Sequence, residues 1–124
     1  ISGADLVAFQ QLVRKVPVAE AVMRYALNLV RASRPTSADA SDDIKKWVAF
    51  GGSVRAAQYL ILGGKARALT QGRYHVSFED IQALAHPVLR HRVLTNFHAQ
   101  SQGMTSDMII DQLLESVRIP QSGM

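Results

Sequence analysis

The stretch from residue 54 to residue 70 constrains the fold more than any other part of this sequence. Its apolar and small side chains recur at the spacing of one helical face, which predicts a long helix. Gly63 and Gly64 lie in the middle of that helix, where each glycine costs ~1 kcal/mol relative to alanine. The cost is most simply recovered when another helix packs very close there, so we expect this helix to be the central one. Its predicted buried face comprises Val54, Ala57, Ile61, Gly64 and Ala68, flanked by Leu60 and Leu69.

Two further helices are predicted in the first third of the chain. Apolar spacing indicates one helix over residues 4–14 and a second from about Val18 to Arg34, with Val16-Pro17 between them. Residues 35–43 are mostly polar and small and start with proline, so we expect a mobile loop. The second helix should bury a broad stripe made by Val18, Val22, Tyr25 and Leu29.

A short helix is predicted over residues 42–50, ended by Gly51. Trp47 and Phe50 are three residues apart and would share one face of that helix. An aromatic pair just before a glycine turn more often anchors the turn in the core than binds a ligand. We therefore expect both rings to pack inward.

The C-terminal part of the chain contains two more helix starts. Ser77 and Asp80 have the spacing of a capping box, and Pro87 should end or kink the helix that they begin. Residues 88–94 could be helical or extended. Thr105 is expected to cap a final helix. The apolar residues expected to face inward from that helix are Ile109, Ile110, Leu113, Leu114 and Val117.

The length of 124 residues suits one domain with a real core, and the predicted elements make it an all-α bundle of about five helices. The contents of hydrophobic and charged residues, 48% and 19%, are those of an ordinary soluble globular protein. No apolar run approaches the ~18–20 residues that span a bilayer, so no membrane partner is expected. The chain starts at Ile1 rather than Met, which indicates a piece of something longer.

The residue types present exclude several kinds of site. Cysteine is absent, which excludes disulfides and thiolate metal sites and is compatible with a cytoplasmic location. His86 and His91 are five residues apart with a proline between them, and no His-Glu-x-x-His pattern occurs, so we expect no metal site. The chain contains no Gly-x-x-x-x-Gly-Lys-Ser/Thr loop and therefore cannot hold a triphosphate in the P-loop manner by itself.

The net charge of +4 is unevenly distributed along the chain. Residues 1–34 carry five Lys and Arg against two Asp and Glu, and residues 53–104 carry six against two. These basic blocks could meet an anionic partner such as a nucleotide, a nucleic acid or an acidic protein surface. Arg90-His91-Arg92 could contact phosphate or an acidic neighbour, although solvated or ion-paired residues at a helix end are the commoner case.

Gly51-Gly52-Ser53-Val54-Arg55 combines a flexible turn with an arginine in the first turn of the central helix. A cation at that end opposes the helix dipole by ~0.3–1 kcal/mol. The free N–H groups of the same end are a natural place to receive phosphate, so the arginine makes sense if an anion arrives there. The alternative is that Ser53 caps an ordinary helix and Arg55 points into solvent. Ser53 has no positioned histidine or carboxylate close in sequence and is a poor candidate for a hydrolytic nucleophile.

Three stretches occur in an order that resembles a known family. Gly51-Gly52-Ser53-Val54-Arg55-Ala56 precedes the small-residue helix, and residues 72–81 and 88–93 follow it. Their sequences are Gly-Arg-Tyr-His-Val-Ser-Phe-Glu-Asp-Ile and Val-Leu-Arg-His-Arg-Val. The set resembles the C-terminal lid of MoxR-type AAA+ ATPases, which are related to the magnesium-chelatase ATPase subunit. The usual pattern there is Gly-Ala-Ser-Pro-Arg-Ala, so Gly52 and Val54 depart from it while the arginine remains.

The resemblance implies that Arg55 is the sensor-2 arginine, which contacts the γ-phosphate of ATP, with Ser53 and Gly52 beside it in the cofactor-binding stretch. ATP and Mg²⁺ would be held mainly by a separate core domain, and residues 1–15 could be a linker helix from that domain. The implied partners are the core domain, neighbouring ring subunits and a von Willebrand A-domain protein. The implied function is a lid that couples ATP hydrolysis to chaperone-like remodelling or assembly of partner proteins.

Two other functions remain open at the level of sequence. The helix–extended link–helix arrangement over residues 54–85 is loosely like a histone-type fold, and the basic surface could then serve a free-standing nucleic-acid or protein-binding module. Such a module would bind DNA with an affinity that falls steeply as salt rises. Without a run of five or six like charges, a dedicated nucleic-acid tail is not indicated. A purely structural oligomerisation domain is the third possibility.

Overall fold

The computed structural model of this chain describes residues 3–38 and 40–119, apart from the side chains of Asp5, Leu6 and Phe9. Those residues form seven helices and one two-stranded antiparallel sheet, so the fold is mostly helical as expected. None of these helices is both long and apolar enough to cross a membrane. In chain order the elements are α1 (Gly3–Lys15), α2 (Glu20–Ala32), α3 (Asp42–Trp47), β1 (Val48–Phe50), α4 (Val54–Thr70), α5 (Phe78–Leu89), β2 (Leu94–Thr95), α6 (Phe97–Ser101) and α7 (Ser106–Ser116).

The central helix α4 packs most extensively against α5, and the two mid-helix glycines are the reason. A Cβ atom built on Gly63 would lie 2.8 Å from Cδ1 of Leu84, and one on Gly64 would lie 3.0 Å from Cγ1 of Val76. A Cβ atom on Gly64 would also lie 3.3 Å from Cδ1 of Ile81 in α5, so an alanine at either position would force side chains of α5 or of the segment before it to shift. The close packing predicted from the sequence is confirmed.

Helix α2 covers another side of α4 and contributes large, fully buried side chains to the core. Tyr25 and Leu29 are fully buried, and the ring of Tyr25 meets that of Phe78 edge to face with centroids 5.6 Å apart. The buried stripe of the second helix is therefore confirmed apart from Val18, which is half-buried. Helix α2 nevertheless ends at Ala32 rather than Arg34.

A buried carboxylate joins the two ends of the α4–α5 connection. The fully buried Asp80 accepts hydrogen bonds from Arg67 at 2.6 Å and from Arg73 at 2.6 and 2.8 Å. Asp80 also completes the capping box. Its carboxylate accepts from the backbone N–H of Ser77 at 2.8 Å, and the hydroxyl oxygen of Ser77 accepts from the backbone N–H of Asp80. Burial raises the pKa of Asp80, but the hydrogen bonds from Arg73, Ser77 and Arg67 outweigh it and hold that pKa well below its usual range.

The predicted helix over residues 42–50 is wrong in its second half. Helix α3 ends at Trp47, and Val48–Phe50 forms β1, which pairs with β2. Trp47 is half-buried and stacks on His98 with centroids 5.1 Å apart, whereas Phe50 is 68% exposed and does not anchor the turn in the core. The partner strand lies more than 40 residues along the chain, so no local pattern could reveal the pairing.

Pro87 does not end α5, which continues through it to Leu89. The missing proline N–H would have bonded the carbonyl of residue 83, which lies on the exposed side of the helix. Water can satisfy that carbonyl, while Val88 and Leu89 gain burial in the core. Residues 88–94, which could have been helical or extended, comprise the end of α5, a turn and the first residue of β2.

The cap and the apolar face of α7 are as predicted, whereas Val54 of α4 is not buried. Thr105 caps α7 by accepting from the N–H of Met108 at 3.2 Å, as predicted. Of its apolar face, Ile109, Ile110 and Leu113 are buried, and Leu114 and Val117 are half-buried. Val54 was expected on the buried face of α4, but it is 60% exposed, whereas Ala56 and Ala57 of the same turn are buried, so the inward face of this turn begins at Ala56.

Helices α5 and α7 are joined at their surface by a histidine between two carboxylates. His86 Nδ1 lies 3.0 Å from Asp107 and its Nε2 lies 2.8 Å from Asp111. Arg90 donates to the same Asp107 oxygen at 2.9 Å. The hydrogen bonds from Arg90 and then His86 lower the pKa of Asp107. His86 is thus engaged in holding two helices together.

We expect Asp80→Asn to lower the free energy of unfolding at pH 7 by about 3 kcal/mol, because two arginines would lose their buried partner. The folded pKa of Asp80 is lowered, so its stabilisation is present above pH ~4 and is lost as the pH falls through the lowered pKa. The difference between the two proteins should therefore shrink in acid. Urea unfolding at pH 7 and at pH 3 measures both effects.

Glu79→Gln is the matched control, because Glu79 is an exposed carboxylate in the same helical turn. Its loss should be below ~1 kcal/mol, which is the scale of a surface helix-dipole interaction. Equal losses for the two variants would show that Asp80 is not the critical carboxylate.

Candidate functional site

The turn before α4 is pressed against the end of α2. A Cβ atom on Gly51 would lie 2.7 Å from Cα of Arg34 and would overlap the carbonyl group of Ser33. Gly51 is therefore required by a close backbone approach and not by a need for flexibility. A cleft of about 200 Å³ borders the turn, lined by Arg34, Pro35, Thr36, Ala49, Phe50 and Gly51.

A buried hydroxyl attaches this turn to α2. Ser33, the residue after α2, donates its hydroxyl hydrogen to the carbonyl of Val30 at 2.6 Å. The same oxygen accepts from the backbone N–H of Gly52 at 2.9 Å, and both Ser33 and Gly52 are buried. Ser33 thus fixes where α4 starts, although nothing in its local sequence distinguishes it from any other serine after a helix.

The start of α4 differs from the starts of the other helices from α2 onward. Ser53 takes the N-cap position with extended backbone, and its carbonyl accepts from the N–H of Ala56 at 2.9 Å, but its side chain makes no capping hydrogen bond and no acidic residue lies in the first turn. The alternative that Ser53 caps an ordinary helix through its side chain is therefore wrong. Helix α2 also lacks a side-chain cap but has Glu20 in its first turn. The remaining four starts are capped by Ser41, Ser77, Asn96 and Thr105.

Arg55 lies in this uncapped first turn with its side chain exposed. Within residues 3–38 and 40–119, leaving aside the three undescribed side chains, it makes no ion pair and no side-chain hydrogen bond. Arg67, Arg73 and Arg90, in contrast, are all bound to aspartates of the domain itself. Arg55 is therefore available to an external anion.

Arg92 and Arg90 are used within the fold. Arg92 lies over the ring of Tyr59 at 4.7 Å and donates to the carbonyl of Val88 at 2.9 Å. Arg90 pairs with Asp107, and His91 is exposed. For the Arg90-His91-Arg92 stretch, the sequence left open whether these side chains contact phosphate or are ion-paired or solvated. Arg90 is ion-paired and His91 is solvated, while Arg92 bonds within the fold.

The start of α4 suits part of a nucleotide and not the whole of it. An exposed guanidinium and an uncapped helix end can receive phosphate oxygens. The first turn supplies no carboxylate that could hold Mg²⁺. The N–H of buried Gly52 is already bound to Ser33, so among the residues predicted from the sequence Arg55 and Ser53 are the exposed ones.

Comparisons with known proteins identify similar chains. The family model for the AAA lid domain matches residues 40–113. Chaperone MoxR1 of Mycobacterium tuberculosis is 31% identical over 121 residues, which are 98% of this chain and 32% of that protein. The uncharacterised protein YeaC of Bacillus subtilis is 26% identical over 120 residues, which are 97% of this chain and 35% of YeaC.

A solved structure gives the same result at the level of the fold. The crystal structure of a candidate ATPase from Cytophaga hutchinsonii superimposes with a TM-score of 0.84 and 31% identity. The match covers 90% of this chain and 34% of that one. The chain therefore spans about a third of the length of the proteins that it matches.

We expect Gly51→Ala to destabilise the fold by about 1–3 kcal/mol, because the added methyl group would overlap backbone atoms that cannot move aside cheaply. Thermal or urea unfolding measures the loss. Gly3→Ala is the control, since its Cβ would meet nothing within 4 Å and the change should stay within ~0.5 kcal/mol. An unaffected Gly51→Ala protein would mean that the turn is loose.

Proposed function

Since this chain belongs to the AAA lid domain family and is a lid domain of the MoxR type, we propose that it acts as a sensor-2 lid. In this role Arg55 contacts the γ-phosphate of ATP that a separate core domain binds. The observation that carries the proposal is the exposed Arg55, which has no partner among the described side chains and lies in a first turn that has neither a side-chain cap nor an acidic residue.

The electrostatics of this turn support an incoming anion. Arg55 opposes the helix dipole by ~0.3–1 kcal/mol, and no described side chain offsets that cost. A phosphate oxygen between the guanidinium and the helix end would be attracted by both groups at once. The unfavourable placement then becomes favourable when nucleotide is bound.

The guanidinium group suits phosphoryl chemistry. It is planar and permanently charged, and it can donate two hydrogen bonds in parallel to oxygens of one phosphate. ATP supplies the phosphoryl group that is transferred to water, and negative charge spreads over its oxygens in the transition state. Arg55 would hold the lid on those oxygens and stabilise that charge. Mg²⁺ would be coordinated by the core domain.

The helices packed against α4 would move when Arg55 contacts the nucleotide. Helix α4 is fixed to α2 through Ser33 and to α5 through the glycine contact, so a movement of Arg55 moves the packed helices with it. We propose that lid closure couples hydrolysis to remodelling or assembly of partner proteins in a cytoplasmic ring, with a von Willebrand A-domain protein among those partners. The relative MoxR1 is named a chaperone, which supports the proposed remodelling or assembly of partner proteins.

We expect Arg55→Ala in the intact parent protein to lower ATP turnover by about tenfold or more, because charge on the γ-phosphate would lose a positioned cation. Steady-state phosphate release at saturating ATP measures this loss. Arg55→Lys should recover only part of the activity, since an ammonium group retains the charge and lacks the forked geometry.

Gln58→Ala is the matched control, because Gln58 is exposed one turn further along α4 and makes no part of the proposed contact. Its turnover should equal that of the unmodified protein. Near-normal turnover in Arg55→Ala would end the sensor-2 assignment.

A further inference from the structure

Ser33 is a buried residue whose hydroxyl makes two hydrogen bonds of different kinds. Within the described part of the chain, Ser33 and Asp80 are the two polar residues that are fully buried. The bond from the Ser33 hydroxyl to the carbonyl of Val30, three residues earlier, is the ordinary local bond of a serine at a helix end. The bond that the same oxygen accepts from the N–H of Gly52 spans 19 residues, so the end of the helix does not account for it.

The bond to Gly52 joins the end of α2 to the backbone three residues before Arg55. Side chains of two helices enclose Gly52 at this point. A Cβ atom built on Gly52 would lie 3.4 Å from Cγ1 of Val30 in α2 and 3.5 Å from Cδ2 of Leu89 in α5. The backbone that leads into α4 therefore combines one polar attachment, made by Ser33, with packed side chains around it.

This attachment takes the place of the usual side-chain cap. In α3, α5, α6 and α7 the cap side chain accepts from an N–H of the first turn and so occupies a group that an anion could bind. In α4 the side chain of Ser53 makes no such bond, and no described acceptor bonds the N–H groups of Ser53, Val54 or Arg55. Ser33 instead holds the chain at Gly52, one residue before the N-cap. The start of α4 is thus fixed while its first turn stays open to a phosphate.

The position of Arg55 depends on how this backbone is held. Arg55 has no partner among the described side chains, so the backbone of the first turn sets where its guanidinium group can reach. A misplacement of about 1 Å at a reacting site can lower a rate ~10²-fold. The hydroxyl of Ser33 therefore affects a contact made by a side chain that it does not touch.

We propose that Ser33 is a positioning residue for ATP hydrolysis: by accepting the hydrogen bond from Gly52, it sets the position of Arg55 against the γ-phosphate. This inference rests on the proposed sensor-2 role. Removal of the hydroxyl leaves the buried N–H of Gly52 without its acceptor, and the turn must move to find another acceptor or water. Arg55 moves with the turn, because it lies three residues further along the chain.

ATP turnover of the intact parent protein tests this role. We expect Ser33→Ala to lower kcat about fivefold, which is less than the loss expected from Arg55→Ala, because the guanidinium group is displaced and not removed. Ser33→Thr keeps the hydroxyl and should recover most of kcat. Ser33→Val matches Ser33→Thr in shape and lacks the hydroxyl, so it should be as slow as Ser33→Ala. Equal turnover in Ser33→Thr and Ser33→Val would overturn the proposal.

A double-mutant cycle separates positioning from a merely structural role. If Ser33 acts through Arg55, Ser33→Ala should have no further effect on turnover once Arg55→Ala has removed the guanidinium group. Independent effects multiply, so a further loss of about fivefold in the double variant would overturn the proposal. If Ser33→Ala does not accumulate as a folded protein, Ser33→Cys takes its place in the cycle, because a thiol is of similar size and is a weak acceptor.

Thr105→Ala is the matched control for lost stability. It removes the cap of α7 and is expected to destabilise the domain, while the hydrogen bonds of Ser33 and Gly52 stay intact. Its turnover, measured well below its unfolding temperature, should equal that of the unmodified protein. A loss as large as that of Ser33→Ala would mean that turnover follows stability alone, and the positioning role would be wrong.

The outcome can be separated from that of the sensor-2 proposal. If Arg55→Ala keeps normal turnover, the sensor role fails and the positioning role of Ser33 fails with it. If Arg55→Ala lowers turnover while Ser33→Ala leaves it normal, the sensor role stands and the positioning role fails. The same holds if Ser33→Ala lowers turnover further in the double variant.

Discussion

The close approach of α4 and α5 is the interaction on which the rest of the fold depends. Gly63 and Gly64 remove the side chains that would hold the helices apart, and Asp80 fastens the connection between them through Arg67 and Arg73. A buried carboxylate is expensive unless its hydrogen bonds are complete, and here arginine, backbone and hydroxyl donors supply them. The geometry of the helix pair is therefore specified by packing and by charge together.

That fixed pair positions the candidate site. Helix α4 starts where Ser33 holds Gly52 and where Gly51 lies against the backbone at the end of α2. The glycine turn is consequently a closely packed junction, and the flexible entrance inferred from its composition is not what the structure contains. Such a junction is compatible with the proposed role of Arg55, because binding energy gained there would be transmitted to α2 and α5 instead of being absorbed by the turn.

Local signals predicted well those parts of the fold that local chemistry decides. The capping residues Ser77 and Thr105 and the close packing at Gly63-Gly64 follow from interactions within a few residues or from a composition that only one arrangement tolerates. The β1–β2 pairing and the ion pairs of Asp80 with Arg67 and Arg73 were not predicted, and the prediction that Phe50 packs inward was wrong. Each depends on residues that are distant in sequence and that only the folded chain brings together.

The sequence by itself determined the helical class, the central position of α4 and the placement of a cation, Arg55, at the start of that helix. Periodicity, glycine placement and a cation at a helix start are all properties of neighbouring residues. Only the tertiary structure decided that Arg55 has no partner among the described side chains while Arg67, Arg73 and Arg90 are bound, and that its helix start lacks a side-chain cap. Whether a charge is free or paired depends on which side chains the fold places within hydrogen-bond distance of it, and that is a property of three-dimensional packing.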